Sequence, residues 1–150
     1  MDKITKRSIL LVEDNPDDIE LTLHALEEHH IANQVEVVRD GEQALDFLFR
    51  KGKYADRPAN EDPAVVLLDL KLPKIDGLEL LKRMRENPNT QYLPVVILTS
   101  SREEQDILNG YKLHANSFIR KPVNFEQFSE VVRNLGLYWL VINEPLPKGE

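Results

Sequence analysis

The sequence contains no cysteine, and this absence removes several kinds of chemistry. A chain without thiols forms no disulfide, offers no thiolate nucleophile and builds no cysteine-ligated zinc or iron–sulfur site. Long hydrophobic runs are also missing, since the stretch LGLYWLV (135–141) is too short to span a bilayer. The N-terminal apolar stretch ends in two acids, Glu13 and Asp14, which does not fit a signal peptide. We therefore expect a cytoplasmic protein without a membrane partner.

Basic residues are fewer than acidic residues. The chain has 19 lysines and arginines against 26 aspartates and glutamates, a net charge of −7. The phosphate backbone of a nucleic acid would be repelled, so no nucleic-acid partner is expected. The length of 150 residues favours a single domain (1–150), with its core at about 7–140 and an extended C-terminal helix and tail.

Short apolar runs alternate with segments of helical period along the chain. Such alternation predicts βαβ units and a parallel sheet covered by helices on both faces, a doubly wound α/β fold with five strands. The last helix is predicted to continue past Leu135 toward Ile142, and the polar segment 51–62 is predicted to be an exposed excursion. The apolar runs are 8–12, 35–38, 64–68, 94–99 and 117–119.

Each predicted helix opens with a capping signal. Asn15 precedes a proline, and four further polar residues are followed three positions later by Glu or Gln, the spacing of a capping box. Those four residues are Asp40, Asp76, Ser101 and Asn124. The acids Asp17 and Asp18 fit the first turn of a helix, where the helix dipole favours negative charge.

Polar residues stand at the carboxyl end of several predicted strands. Glu13 and Asp14 follow the first strand, Asp69 the third, Thr99 ends the fourth and Lys121 follows the fifth. Ligands bind at this edge of a doubly wound sheet, where the strand order reverses. An isolated carboxylate is costly inside a buried strand, so we expect Asp69 to be the first residue beyond the strand, at its rim.

Three carboxylates at one edge repel one another and raise each other's pKa values unless a cation joins them. Oxygen ligands without cysteine suit a hard ion, and Mg²⁺ is the expected cofactor. A lysine and a hydroxyl facing the same place, here Lys121 and Thr99, would neutralise and bind an incoming phosphoryl group.

The chain resembles the CheY-like receiver domain of two-component response regulators over roughly residues 7 to 140. The resemblance rests on LLVEDN (10–15), LLDLKLPKIDG (67–77), VILTSS (96–101) and FIRKP (118–122), in the order of the family. It implies a (βα)5 flavodoxin-like receiver fold. It also implies that a sensor histidine kinase or a phosphotransfer protein donates a phosphoryl group to this chain.

The resemblance implies roles for individual residues around the metal. Asp69 would be the phosphoacceptor and a metal ligand, and Asp14 a direct Mg²⁺ ligand. Glu13 would complete the acidic pair, often through water, and the backbone carbonyl of Lys71 would supply a further ligand.

The switch residues follow from the same resemblance. Thr99 would be the switch hydroxyl, Phe118 the switch aromatic, and Lys121 the cation that contacts the phosphoryl group. The Lys121–Pro122 bond of the family is usually cis. Output is expected by altered partner binding or by homodimerisation through the fourth helix, fifth strand and fifth helix, because no residues remain for a second domain.

A narrower resemblance concerns the C-terminal tail. The stretch LGLYWLV resembles the stand-alone regulators paired with bacterial phytochromes and similar sensor kinases. Tyr111, Tyr138 and Trp139 are candidates either for the core or for an interaction face.

Two alternatives remain open. A Mg²⁺-dependent phosphatase of the haloacid-dehalogenase type would use Asp69 as nucleophile, but it needs a second aspartate where this chain has Lys71. A degenerate receiver would bind partners without phosphorylation, and the intact set of Asp14, Asp69 and Lys121 argues against it.

Overall fold

The computed structural model describes residues 8–28, 35–58 and 62–147. Within these residues, five parallel strands form one sheet in the order β2-β1-β3-β4-β5. The chain moves outward in opposite directions from β1, so the strand order reverses between β1 and β3. The strands are β1 Ile9–Val12, β2 Val35–Val38, β3 Val65–Leu68, β4 Val95–Thr99 and β5 Ser117–Arg120.

Helices follow each strand of the described chain and cover the sheet. The architecture confirms the predicted doubly wound five-stranded α/β fold, and no strand bound differs from its apolar run by more than one residue. The helices are α1 Pro16–Glu27, α2 Gly41–Leu48, α3 Gly77–Glu86, α4 Glu104–Lys112 and α5 Phe125–Leu137.

The strands β1, β3 and β4 are buried along their whole length, and their side chains alternate between two apolar layers. One layer contains Leu10 and Leu68 and packs against α2 and α3. The other contains Leu11 and Leu67 and packs against α1 and α5. Burial on both faces explains why these strands read as continuous aliphatic runs rather than as alternating patterns.

Capping side chains fix where most helices begin. Asn15, Asp40, Asp76 and Asn124 each accept backbone N–H bonds from the first turn of the following helix, as the sequence predicts. These four caps place the helix starts directly after the loops that leave the carboxyl end of the sheet.

The capping prediction for α4 is wrong. The residue before this helix is Glu103, which makes no side-chain cap bond. The Ser101 hydroxyl is held elsewhere: it donates to Asp106 Oδ2 at 2.6 Å and accepts from the Glu103 amide at 3.3 Å. The hydroxyl therefore fixes the β4–α4 loop instead of starting the helix.

The described part of segment 51–62 is anchored to α2 rather than projecting freely. After a short 3₁₀ helix, Gly52–Tyr54, the guanidinium of Arg57 lies 4.2 Å from the Phe47 ring centroid and donates to the Phe47 carbonyl at 3.0 Å. Tyr54 packs edge-on against the same ring at 5.1 Å. Residues 59–61 lie outside the described residues.

The last helix continues, as predicted, through a π-helical turn at Tyr138–Ile142. Trp139 packs partly buried against the core, whereas Tyr138 is 45% exposed. Among the described residues, no helix combines the length and the apolar character needed to cross a bilayer.

Candidate functional site

Three predicted site residues are the first residues beyond their strands. Glu13, Asp69 and Lys121 follow β1, β3 and β5, and the backbone amide of each still bonds to a carbonyl of the neighbouring strand segment. The N–H···O distances are 3.1, 3.1 and 2.8 Å, respectively. The sheet backbone therefore sets the spacing of these side chains at its carboxyl edge.

The Lys121 ammonium lies among three carboxylates. Its Nζ is 2.8 Å from Glu13 Oε1, 2.7 Å from Asp18 Oδ2 and 3.0 Å from Asp69 Oδ2. The side chains of Lys121 and Asp69 are each 9% exposed, so these ion pairs are shielded from water. The buried charge of Asp69 is thus paired, and the cation that relieves the predicted carboxylate repulsion is this ammonium.

Asp69 is kept anionic by its neighbours. Burial alone would raise the pKa of its carboxyl group, but the Lys121 ammonium, the Thr99 side chain and the Lys71 amide outweigh burial and hold that pKa below its usual range. The Lys71 N–H donates to Asp69 Oδ1 at 3.3 Å. A buried, ionised carboxylate with organised donors is suited to act as a nucleophile.

Glu13 titrates differently from Asp69, although both contact Lys121. Burial raises the pKa of Glu13 to about 7, and the negative charge of Asp69 adds to this effect, while the Lys121 ammonium opposes it. Its Oε2 accepts a hydrogen bond from the Asn15 amide at 3.2 Å. The same environment therefore lowers the pKa of Asp69 and raises the pKa of Glu13.

Asp18 is the site residue that the sequence reasoning missed. The helix dipole predicts Asp18 in the first turn of α1, where it does lie, but its side chain also reaches Lys121. The signal available in the sequence was its position in the first turn of the helix that directly follows the end of β1.

Asp14 lies apart from the ammonium cluster. Its carboxylate is exposed and lines an open groove together with Lys71 and Asp106. Within the described residues, no three His, Cys, Asp or Glu side chains are arranged to hold a metal ion. The carboxylate of Asp14 thus offers oxygen donors to a water-accessible groove, next to the loop that follows Asp69, and a hard cation that keeps several waters fits such an open site.

The two predicted switch residues differ in burial. Thr99 is fully buried, and its Oγ1 accepts a hydrogen bond from the Ser101 amide at 3.3 Å. Phe118 is partly buried on β5 and packs against the core and α4, close to Gly110. Lys121–Pro122 is a trans bond, as are all peptide bonds of the described residues, so the cis bond implied by the resemblance is not found. The trans form is the lower-energy isomer of an ordinary X–Pro bond.

Comparisons with known proteins agree with this arrangement. The model of the response regulator receiver domain matches residues 9–133. Response regulator Rcp1 from Synechocystis sp. is 38% identical over 132 residues, which are 88% of this chain and 88% of Rcp1. A solved structure of the Mn²⁺-bound form of Rcp1 superposes with a TM-score of 0.86 over 94% of this chain and 99% of that one, at 35% identity.

Two further solved structures are similar over nearly their whole length. The phosphorylated cyanobacterial phytochrome response regulator RcpA is 38% identical, with a TM-score of 0.86 over 93% of this chain and 97% of RcpA. The bacteriophytochrome response regulator AtBRR is 56% identical, with a TM-score of 0.71 over 92% of this chain and 98% of AtBRR. With its sheet, its acidic strand ends and its buried lysine, the chain belongs to the response regulator receiver domain family.

Proposed function

We propose that this chain is a single-domain response regulator that accepts a phosphoryl group on Asp69 from a sensor histidine kinase or a phosphotransfer protein. The observation that carries the proposal is the Lys121 ammonium 3.0 Å from the ionised Asp69 carboxylate, at the edge where β1, β3 and β5 end. This pair presents a nucleophile and a cation to the same incoming group. Its burial makes the electrostatic attraction stronger than it would be in water.

The proposed transfer needs no proton. A carboxylate oxygen of Asp69 attacks the phosphorus of phosphohistidine, an O–P bond forms, the N–P bond breaks, and its electron pair returns to the imidazole nitrogen. Lys121 offsets the negative charge that accumulates on the phosphoryl oxygens. Because the pKa of Asp69 is held low, the nucleophile is present at neutral pH without a general base.

Mg²⁺ is the cofactor that we propose. Asp14, Asp69 and the backbone carbonyl of Lys71 would hold it, with Glu13 completing the acidic set. When bound, the ion would neutralise phosphoryl oxygens and orient the donor. The Mn²⁺-bound form of Rcp1 supports a divalent ion in a relative of this chain.

Signalling would follow from the added charge. Phosphorylation brings about 1.5 to 2 negative charges to Asp69, and we propose that Thr99 and Lys121 move toward them while Phe118 follows. A full shift from 1:99 to 99:1 needs about 5.5 kcal/mol. One or two charge-assisted hydrogen bonds at about 1.5 to 3 kcal/mol each supply only part of it. The remainder would come from partner binding or dimerisation.

The proposed donor is a phytochrome-type sensor kinase, because RcpA and AtBRR are named as regulators of that class. For output we propose a homodimer formed through α4, β5 and α5. Apolar side chains on the two helices support this face: Leu108 is 49%, Tyr111 50% and Phe125 52% exposed. Clustered exposed apolar groups are typical of an interaction surface.

The phosphatase alternative has less support. Lys71 stands two residues after Asp69, where a haloacid-dehalogenase-type enzyme needs a general acid, and its side chain is exposed in the groove. A lysine ammonium at neutral pH is a poor proton donor for this purpose. The degenerate-receiver alternative is disfavoured by the intact Asp69–Lys121 pair.

The central test is phosphorylation by a small donor. Incubation with acetyl phosphate and Mg²⁺ should add about 80 Da to Asp69, detected by mass spectrometry as a hydrolytically labile adduct. Asp69→Asn should show no adduct, whereas Asp17→Asn, which removes an exposed carboxylate, should react like the unmodified chain. Absence of any adduct would favour the degenerate receiver, and repeated turnover of phosphoesters would favour the phosphatase.

The dimer is tested separately by sedimentation, with and without beryllofluoride as an acyl-phosphate mimic. Tyr111→Glu should shift the protein toward the monomer. Tyr92→Glu is the matched control, since Tyr92 is 69% exposed but lies outside α4, β5 and α5. A monomer at high concentration in both states would contradict the proposed dimer.

A further inference from the structure

We propose that Asp18 is a positioning residue for Lys121, which holds the ammonium at the sheet edge when a divalent cation takes over Glu13 and Asp69. The inference rests on the proposed function, because it assigns Asp18 a part in loading the same site with metal. It adds to the receiver site a carboxylate that lies on α1 rather than at a strand end.

All three hydrogens of the ammonium are engaged in the structure. Lys121 Nζ bonds to Glu13 at 2.8 Å, to Asp18 at 2.7 Å and to Asp69 at 3.0 Å, and an ammonium has three donors. The contact with Asp18 is the shortest of these three. Carboxylates outnumber the single ammonium in this cluster, and the excess negative charge favours entry of a divalent cation.

The cation and the ammonium would draw on the same two carboxylates. Glu13 and Asp69 are proposed to face the ion, and both are now bonded to Lys121. Metal binding therefore has to weaken these two contacts. If they were the only partners of Lys121, loading the metal would leave a nearly buried ammonium, 9% exposed, without a carboxylate. Asp18 removes this obstacle because it is not needed by the metal.

Asp18 is fixed in place before any metal arrives. Its amide donates to the Asn15 side chain at 3.2 Å, and its carbonyl accepts from the Thr22 hydroxyl at 2.7 Å. Both contacts belong to α1, so the carboxylate is presented by a regular helix rather than by a mobile loop. The side chain is 24% exposed, and its attraction for Lys121 is only partly screened by water.

The test measures Mg²⁺ binding without any phosphodonor, by isothermal titration calorimetry, on Asp18→Asn and Asp17→Asn. Both variants lose one negative charge from the same turn of α1, but only Asp18 contacts Lys121. Asp18→Asn should bind Mg²⁺ about 10-fold more weakly, the size of effect seen when the outer partner of a metal site is removed. Asp17→Asn should stay within roughly twofold, as expected for an exposed charge. Asp18→Glu should recover part of the affinity.

A second measurement separates positioning from general damage. In phosphorylation by acetyl phosphate, Asp18→Asn should raise the Mg²⁺ concentration that gives half the maximal rate, and should change the rate at saturating Mg²⁺ much less. Urea unfolding in EDTA establishes that each variant is folded. Equal Mg²⁺ affinity of Asp18→Asn and Asp17→Asn, or no rescue by Asp18→Glu, would overturn the inference.

The two proposals fail in different ways. If the unmodified chain forms the Asp69 adduct while Asp18→Asn and Asp17→Asn bind Mg²⁺ equally, the positioning role of Asp18 is wrong and the proposed function stands. If no adduct forms but Mg²⁺ binding weakens selectively in Asp18→Asn, the proposed function is wrong and the positioning role stands.

Discussion

Lys121 Nζ lies 3.0 Å from Asp69 Oδ2, although the two residues are 52 positions apart in the sequence. They follow β5 and β3, which are not neighbours in the sheet, since β4 lies between them. The ion pair therefore spans the end of β4, where Thr99 is buried. A change in charge at Asp69 would therefore act on the ends of β4 and β5 at once.

Removing the ammonium should destabilise the protein strongly. Lys121→Met leaves Glu13 and Asp69 buried without their cation, and loss of one partner of a buried pair costs about 3 to 5 kcal/mol. The measurement is urea unfolding of the metal-free protein at pH 8. The free energy of unfolding should fall by that amount.

The double variant Asp69→Asn/Lys121→Met is the control for that loss. Because it removes an uncompensated charge together with the ammonium, it should be more stable than Lys121→Met alone. Equal stability of the single and double variants would mean that the pair is not coupled and that our description of its energetics is wrong.

The raised pKa of Glu13 predicts a pH-dependent stability. A carboxyl group whose pKa is near 4.5 when unfolded and about 7 when folded binds its proton more tightly in the folded state. Its contribution is therefore complete below pH 4.5 and is lost as the pH rises toward 7, by about 3 kcal/mol for a shift of this size. Urea unfolding in EDTA at several pH values measures the loss.

Glu13→Gln isolates this contribution from other titrating groups. The unfolding free energy of the unmodified chain should decrease relative to that of Glu13→Gln as the pH rises from 4.5 to 7, because the glutamine does not ionise. Asp69 acts in the opposite direction, because its pKa is lowered in the folded state. Its ionised form stabilises the fold, and that contribution is lost only as the pH falls below 3.8, the usual pKa of an aspartate. A pH-independent difference would contradict the assignment to Glu13.

Much of the site was predictable because it depends on the sheet. Residues that follow parallel strands must meet at one edge, so Glu13, Asp69 and Lys121 could be placed together from the order of apolar runs and motifs alone. The caps Asn15, Asp40, Asp76 and Asn124 were predictable for a similar reason, since each acts within its own helical turn.

The contacts that sequence reasoning missed depend on how separate elements dock. Asp18 reaches Lys121 only because α1 packs beside the sheet edge at the required angle. Ser101 bonds to Asp106 across the β4–α4 loop, a competition that a capping pattern does not reveal. The apolar periodicity of the sequence fixes which face of a helix is buried but not its exact rotation or tilt, and these decide side-chain pairing within a few ångströms.

Arg85 should be important for stability although it lies far from the strand ends. Its guanidinium donates to five backbone carbonyls in two loops, including Leu93 at 2.9 Å and His114 at 2.8 Å. Arg85→Ala removes all five bonds, four of them partly buried, and should cost about 3 kcal/mol in urea unfolding. Arg85→Lys should rescue little, because an ammonium lacks the planar fork that reaches both loops.

Arg83→Ala is the matched control for Arg85. Arg83 lies on the same helix, but its side chain is 47% exposed and pairs with Glu79 one turn away. Such a surface pair contributes about 0.5 kcal/mol or less. If both alanine variants lose the same stability, the loop contacts of Arg85 stabilise the fold no more than the exposed Arg83–Glu79 pair does.

Gly77 and Gly110 offer a comparison between two kinds of tight contact. A Cβ atom at Gly77 would lie 2.5 Å from the Asp69 carbonyl oxygen and 2.7 Å from Leu70 Cα, both backbone atoms of the turn that carries the proposed acceptor. At Gly110 the nearest atom would be Ile97 Cδ1 at 2.9 Å, the end of a flexible side chain. Gly77→Ala must therefore move backbone, whereas Gly110→Ala needs only a small side-chain adjustment.

We expect Gly77→Ala to lose about 1 to 3 kcal/mol of stability, the usual cost of overpacking, and to slow phosphorylation of Asp69 by acetyl phosphate at saturating Mg²⁺. Gly110→Ala should change the free energy of unfolding little. Alanine gains up to about 1 kcal/mol over glycine inside a helix, and this gain offsets the cost of the side-chain adjustment. Urea unfolding and the initial rate of adduct formation measure the two effects. Equal stability and equal rates of adduct formation in the two variants would show that the backbone of Asp69 and Leu70 shifts at little cost. The contact of this turn with α3 would then not hold it in place.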